Sequence, residues 1–273
     1  MINIEEQYLG LMSGVLHGGK HKNDRTGTGT ISVFGRTIEH DMVLGFPLLT
    51  TKKVFFNHAV TELLWMLQGR SDLAFLEDNG IKYWRPDYER SGRTDGTLGR
   101  VYGVQWRDFN GTDQIKNLLS EIKNNPESRR LIVNAWNPAD MHDMALPPCH
   151  YSFQVYINNG KLDLMWQQRS VDIFLGLPYD IAIYGLLLEL LAKGAGYKPG
   201  RLVAQLGDCH LYTNHCDAAM TQLKRYMNDL PTLKLSKGLQ LIGGEIAIPD
   251  RNDISLIDYK PDPPIKAPLS VGK

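Results

Sequence analysis

Cysteine is scarce, and Cys149, Cys209 and Cys216 form neither a CxxC pair nor a clear Cys/His ligand set. That spacing removes the usual zinc signatures and a resolving-pair redox site, and an odd count disfavours a disulfide framework. Net charge is lacking as well, because 30 Lys and Arg balance 30 Asp and Glu. Without a net positive field the chain is not built around a nucleic-acid polymer, and any phosphate must be met by local groups. Long apolar runs are also missing: the longest, around Ile183 to Ala192, is interrupted by Glu189 and falls short of a bilayer span. No basic-apolar-small pattern opens the chain. The expectation is a cytoplasmic protein that does not engage a membrane. Repeats of solenoid period and low-complexity tracts are absent.

What is present is enough apolar material for a large core, at 42% of 273 residues, with glycine and proline spread along the whole length. One domain over 1–273 is the simplest reading. Apolar spacing predicts helices over Ile4 to Leu16, His58 to Leu67, Ile115 to Ile122, Ile181 to Leu191 and Asn214 to Tyr226. β-Branched content and partial alternation predict strands over Thr30 to Ile38, Arg130 to Ala135, Ser152 to Ile157, Lys161 to Gln167 and Leu202 to Leu206. Asn158-Asn159-Gly160 marks a hairpin between the third and fourth strands. Helices and strands mix without strict βαβ alternation, which predicts an α+β fold. Arg85 to Arg100, rich in charge and glycine, reads as a surface loop or insertion.

Two prolines stiffen the approach to a cysteine in Leu146-Pro147-Pro148-Cys149-His150. A thiolate there would be a nucleophile, its pKa lowered by nearby guanidinium groups. Read alone, the same cysteine fits a small buried apolar residue better than a nucleophile. Arg25 stands in a Gly-Thr-Gly-Thr stretch, Arg129 and Arg130 open a strand, and Arg169-Ser170 follows another. Arginine forks onto phosphate oxygens and glycine lets backbone approach an anion. Singly, each arginine fits an exposed ion pair better than a phosphate site.

As a set, NDRTGTGT, GFPLLTTKK, ELLWMLQG, VYGVQWR, SRRLIVNAWNP, MALPPCH, QQRSVDIFLGLPYDIAIY, GDCHLYTNH and PPIKAP resemble the thymidylate synthase family, collinearly from Asn23 to Pro268. The resemblance implies a homodimer formed through a mixed sheet with packed helices. It also implies 5,10-methylenetetrahydrofolate as co-substrate and a pyrimidine deoxynucleoside monophosphate as substrate, with no metal. Cys149 resembles the nucleophile that adds to C6. Arg25, Arg169 and Ser170 resemble phosphate ligands, and Arg129 and Arg130 resemble the pair reaching the phosphate of the neighbouring subunit's site. His210 and Tyr212 match residues that hold the sugar 3′ hydroxyl. Glu62 resembles the carboxylate that organises water and relays protons, and Tyr102 the tyrosine assisting proton removal from C5, with His150 among the catalytic set. Asp172, Trp84 and Gly176 resemble the cofactor site.

One position departs from that pattern. Asp180, in Gly176-Leu177-Pro178-Tyr179-Asp180-Ile181, stands where thymidylate synthases have asparagine, an exchange seen in deoxycytidylate hydroxymethylases. An amide matches the N3-H donor and O4 acceptor of uracil, whereas a carboxylic acid matches the N3 acceptor and N4 amino donor of cytosine. The expected substrate is therefore dCMP, in a phage that modifies its cytosine or elsewhere. Trp84 and the IKAPLSV tail imply a shielded site and a methyl product. Gly272 and Lys273, beyond the usual family end, together with the 85–100 loop, point toward water entry and a 5-hydroxymethyl product. That product is the first alternative, and thymidylate synthesis from dUMP is the second.

Overall fold

The computed structural model describes residues 3–270. Eight helices are found there: α1 (Ile4–Gly18), α2 (Phe56–Leu67), α3 (Leu73–Asp78), α4 (Arg85–Arg90), α5 (Gly103–Arg107), α6 (Gln114–Asn124), α7 (Leu177–Ala195) and α8 (Cys216–Leu223). Six strands, β1 (Lys20–Lys22), β2 (Thr30–Asp41), β3 (Ile132–Asn134), β4 (His150–Asn158), β5 (Lys161–Asp172) and β6 (Lys198–Tyr212), form one mixed sheet in the order β1-β2-β6-β5-β4-β3. The expected α+β class is observed.

Every pairing in this sheet is antiparallel except β5 with β6. A parallel pair needs a crossover, and α7 supplies it, packing on both strands. Nearly all of α7 is apolar and buried, so it is a central helix with no solvent face. Pro178 sits in its first turn and Gly196, at φ 77°, ends it. The predicted hairpin joins β4 and β5: Asn158 pairs with Lys161, and Asn159 and Gly160 both take positive φ, as a primed two-residue turn requires. One sheet face buries Phe153, Val155, Leu164, Trp166, Leu202 and Ala204 under the helices. On the other, Thr37, Gln205, Gln167, Ser152 and Asn134 align in register across five strands and are exposed or half-buried.

Several expectations change. The segment at 85–100 is not simply a loop: Pro86 starts the short helix α4, and both Asp87 and Leu98 are buried. Its charges are neutralised locally, with Arg93 paired to Asp95 and Asp143, and Arg90 to Asp87. The strand expected from Arg130 begins only at Ile132, leaving both arginines ahead of it. The helix expected over 214–226 is α8, entered through a 3-10 turn at Thr213–His215. Helices α3 and α5 are too short to show a period. Two small two-stranded sheets, β7 (Thr232–Leu235) with β10 (Ile254–Ile257) and β8 (Gln240–Ile242) with β9 (Glu245–Ala247), were also outside the sequence reading. Gly272 and Lys273 lie outside the described residues.

Candidate active site

A cavity of about 390 Å³ opens between the ends of β5 and β6 and the loop at 23–26. Its wall carries Arg25, Cys149, Arg169, Ser170, Asp172, His210 and Tyr212, residues drawn from four separate sequence motifs, with Leu269 and Ser270 of the tail at its edge.

Cys149 directly precedes β4 and is held from three sides. Its N–H donates to Tyr102 Oη at 2.9 Å, and its carbonyl accepts from Arg169 N at 2.8 Å. The Arg169 guanidinium donates to the carbonyls of Pro148 and Pro147, each at 2.9 Å. Rigid prolines and a fixed arginine thus aim one side chain into the cavity. Contrary to expectation, the thiol is not depressed. Burial pushes it up to about 11, aided by Asp180 and Asp87, and outweighs the opposing pull of Arg169.

Tyr102, at φ 31°, lays its ring on His150 at 4.4 Å and meets the edge of Trp84 at 5.8 Å. Such a φ is strained for a tyrosine, so the surrounding packing must impose it. His150 bonds Tyr184 Oη through Nδ1 at 2.9 Å, and burial holds its pKa near 3, so the ring is neutral. Its Nε2 lies 3.7 Å from Asp180 Oδ1.

Asp180 stands in the first turn of α7. Trp166 Nε1 donates to Gln168 Oε1 at 3.1 Å, which turns the Gln168 amide NH₂ toward Asp180 Oδ2 at 2.8 Å. Burial, with Glu62 and Asp172 adding to it, pushes the Asp180 carboxyl up to about 7 against that one donor. It is therefore a carboxyl able to carry a proton at neutral pH.

Glu62, buried on α2, accepts from Trp84 Nε1 at 2.8 Å and from Tyr83 Oη. Burial raises its pKa, and these two donors lower it. Asp172 Oδ1 accepts from the N–H groups of Phe174 and Leu175 at 3.0 and 3.1 Å, while Oδ2 has no hydrogen-bond partner among the described residues. At Gly176 a Cβ would come within 3.2 Å of the Asp172 carbonyl and 4.0 Å of Asp180 Oδ2, so glycine keeps this wall flat. A free carboxylate oxygen beside a flat backbone wall can accept from the N–H edge of a planar ring.

His210 Nδ1 contacts the Asp208 carbonyl at 3.1 Å, and its ring meets Tyr212 at 5.3 Å. Arg25 is exposed in a loop that Asp24 folds by accepting from Thr26 N at 2.8 Å and Gly29 N at 2.7 Å. Arg129 and Arg130 are exposed ahead of β3 and are not among the residues lining this cavity.

The family model described as thymidylate synthase matches residues 6–271. The chain belongs to the thymidylate synthase family. Members of this family transfer a one-carbon unit from methylenetetrahydrofolate to C5 of a pyrimidine nucleotide, and Cys149, Arg25, Arg169 and Ser170 of this chain line one cavity. No helix among the described residues is long and apolar enough to cross a membrane.

Sequence reasoning missed Asp87, which lines the cavity, and Tyr83 and Gln168, which hold the carboxyls of Glu62 and Asp180. Gln168 was within the motif beside Arg169, yet only its bond to Trp166 reveals which way its amide faces. Tyr83 directly precedes Trp84, but nothing in a run of mixed residues marks its hydroxyl as a partner of a helix 21 positions earlier.

Proposed function

We propose that this chain is one thymidylate-synthase-like domain, acting as a homodimer, that transfers the one-carbon unit of 5,10-methylenetetrahydrofolate to C5 of deoxycytidine monophosphate and leaves a methyl group. The observation that carries the choice of base is Asp180: a carboxyl raised to about 7 and oriented by Gln168, with neutral His150 beside it. Such an acid donates to N3 and accepts from the N4 amino group of cytosine. Uracil would face it with a donor at N3 and an acceptor at O4, and mismatched buried polar groups discriminate strongly.

In this reading the Cys149 thiolate adds to C6, the C5=C6 pair shifts to C5=C4, and the C4=N3 pair moves onto N3. Asp180 gives N3 its proton, so C5 becomes an enamine-type nucleophile. The raised Cys149 thiol must lose its proton first, and Arg169, with the guanidinium groups of Arg129 and Arg130 from a neighbouring subunit, would favour the thiolate. Arg25, Arg169 and Ser170 bind the phosphate, and His210 and Tyr212 hold the sugar hydroxyl. Tyr102 assists loss of the C5 proton to water organised by Glu62. Asp172, Gly176 and Trp84 would hold the folate, which supplies the one-carbon unit and, for a methyl product, the hydride that reduces it. Trp84, buried against Tyr102, supports exclusion of water and hence methyl over the 5-hydroxymethyl alternative.

The test is a product assay with dCMP, dUMP and CMP, each with methylenetetrahydrofolate. The expected outcome is preference for dCMP, with dihydrofolate released beside 5-methyl-dCMP. Asp180→Asn should shift relative kcat/KM toward dUMP by roughly a hundredfold. Wild-type preference for dUMP would overturn the cytosine reading and leave thymidylate synthesis. A product heavier by one oxygen, without dihydrofolate, would replace methyl by hydroxymethyl.

A further inference from the structure

Buried Glu62 on α2 and half-buried Asp180 on α7 both lie near Tyr102, and Glu62 raises the charge cost of Asp180. The groups around Glu62 are Tyr83 and Trp84 ahead of α4, Tyr102 ahead of α5, and Tyr179 and Asp180 on α7. Around Asp180 stand His150 on β4, Gln168 and Asp172 on β5, Tyr184 on α7, and Cys149. Neither carboxyl forms an ion pair with Lys or Arg among the described residues. The two therefore titrate as a pair, and the number of donors aimed at each decides which one carries the negative charge.

That count is unequal. Glu62 has two donors, one on each oxygen: Trp84 Nε1 on Oε1 and Tyr83 Oη on Oε2. Asp180 has one side-chain donor, Gln168 Nε2. We propose that Tyr83 is a positioning residue that keeps Glu62 the ionised member of the pair and thereby leaves the proton on Asp180, so that base and acid roles fall on different carboxyls. This rests on the functional reading above, in which Glu62 organises the water that takes the C5 proton and Asp180 protonates N3. Removing the Tyr83 hydroxyl leaves one donor on each carboxyl. Charge and proton are then shared, and fewer molecules hold the productive arrangement at any pH. The half-buried Tyr83 ring, 6.2 Å from that of Tyr179, stays in place when only the hydroxyl is lost.

The experiment compares full-length wild type, Tyr83→Phe and Glu62→Gln, measuring kcat/KM against pH with the preferred nucleotide and methylenetetrahydrofolate, alongside tritium release from C5. Tyr83→Phe should narrow the bell-shaped profile. Its acid limb moves up because ionised Glu62 has lost a donor, while its alkaline limb, set by loss of the Asp180 proton with Glu62 already ionised, stays in place. On the acid side kcat/KM should fall roughly tenfold more than at the optimum, the size expected for a hydrogen bond to a charged group. Dissociation constants for the nucleotide, measured by fluorescence quenching, should change far less and serve as the folding check. A uniform loss of rate with the acid limb unmoved would overturn the proposal while Glu62→Gln remains inactive. Full turnover and tritium release in Glu62→Gln would instead overturn the reading of Glu62 itself.

Discussion

Asp180 and His150 carry opposite pH behaviour 3.7 Å apart. The folded carboxyl at about 7 holds a proton that the unfolded chain has released above pH 4, whereas the folded imidazole at about 3 refuses a proton that the unfolded chain takes below pH 6.5. Between about pH 4 and 6.5 each state therefore binds one proton on this pair, and the pair contributes no slope to stability. Asp180→Asn removes the folded-state proton and uncovers His150. Its stability should fall relative to wild type by roughly 1.4 kcal/mol for each pH unit below 6.5. Urea unfolding of both proteins at pH 4.5, 5.5 and 6.5 measures this, and parallel curves would show that Asp180 titrates normally. Asp180 itself was legible in the sequence because it replaces an expected residue inside a long motif. Its protonation was not, since that depends on burial by elements distant in sequence, which outweighs the one donor, Gln168, that Trp166 orients toward it.

Short elements show where local patterns run out. Helix α4 has six residues, too few for a hydrophobic period, and its charged sequence reads as solvent-facing. Yet Asp87 turns inward to line the cavity, and Arg90 follows to pair with it at 2.6 Å. That bond is made by Nη2, and the buried Arg90 Nη1 has no hydrogen-bond partner among the described residues. Asp87→Ala would strand a guanidinium that is only partly solvated, at a cost of roughly 3 kcal/mol in unfolding free energy. It should also release the thiol, because Asp87 is one of the groups holding Cys149 upward. Alkylation of Cys149 by iodoacetamide at pH 8 should therefore quicken even as stability drops. A less stable variant with unchanged alkylation would separate Asp87 from the site chemistry. The longer elements α1 and α6 and the β4–β5 hairpin were legible because burial repeats along them with the period of their backbone, and α2 and α7 because their apolar runs are long.

At the scale of the whole molecule, strand membership was readable but strand order was not. The parallel β5–β6 pair follows from α7 crossing the sheet, a tertiary choice that no local pattern encodes. The same sheet leaves one face of Thr37, Gln205, Gln167, Ser152 and Asn134 exposed or half-buried, and Arg129 and Arg130 project beside its β3 edge, away from their own chain's cavity lining. A pair of such faces brought together about a two-fold axis would carry each Arg129-Arg130 pair toward the partner's phosphate site. If so, each site needs Cys149 from one chain and Arg129 from the other. Cys149→Ala and Arg129→Ala should each be inactive as homodimers, while Cys149→Ala still binds nucleotide through its arginines. After subunit exchange in equal mixture, half of the dimers are hybrids with one intact site of two, so activity should recover to about a quarter of wild type. Recovery is read by dihydrofolate absorbance or product mass, with exchange verified by native mass spectrometry. Complete exchange without recovery would mean that each chain supplies its own phosphate ligands, and the sheet face would then lose its part in catalysis.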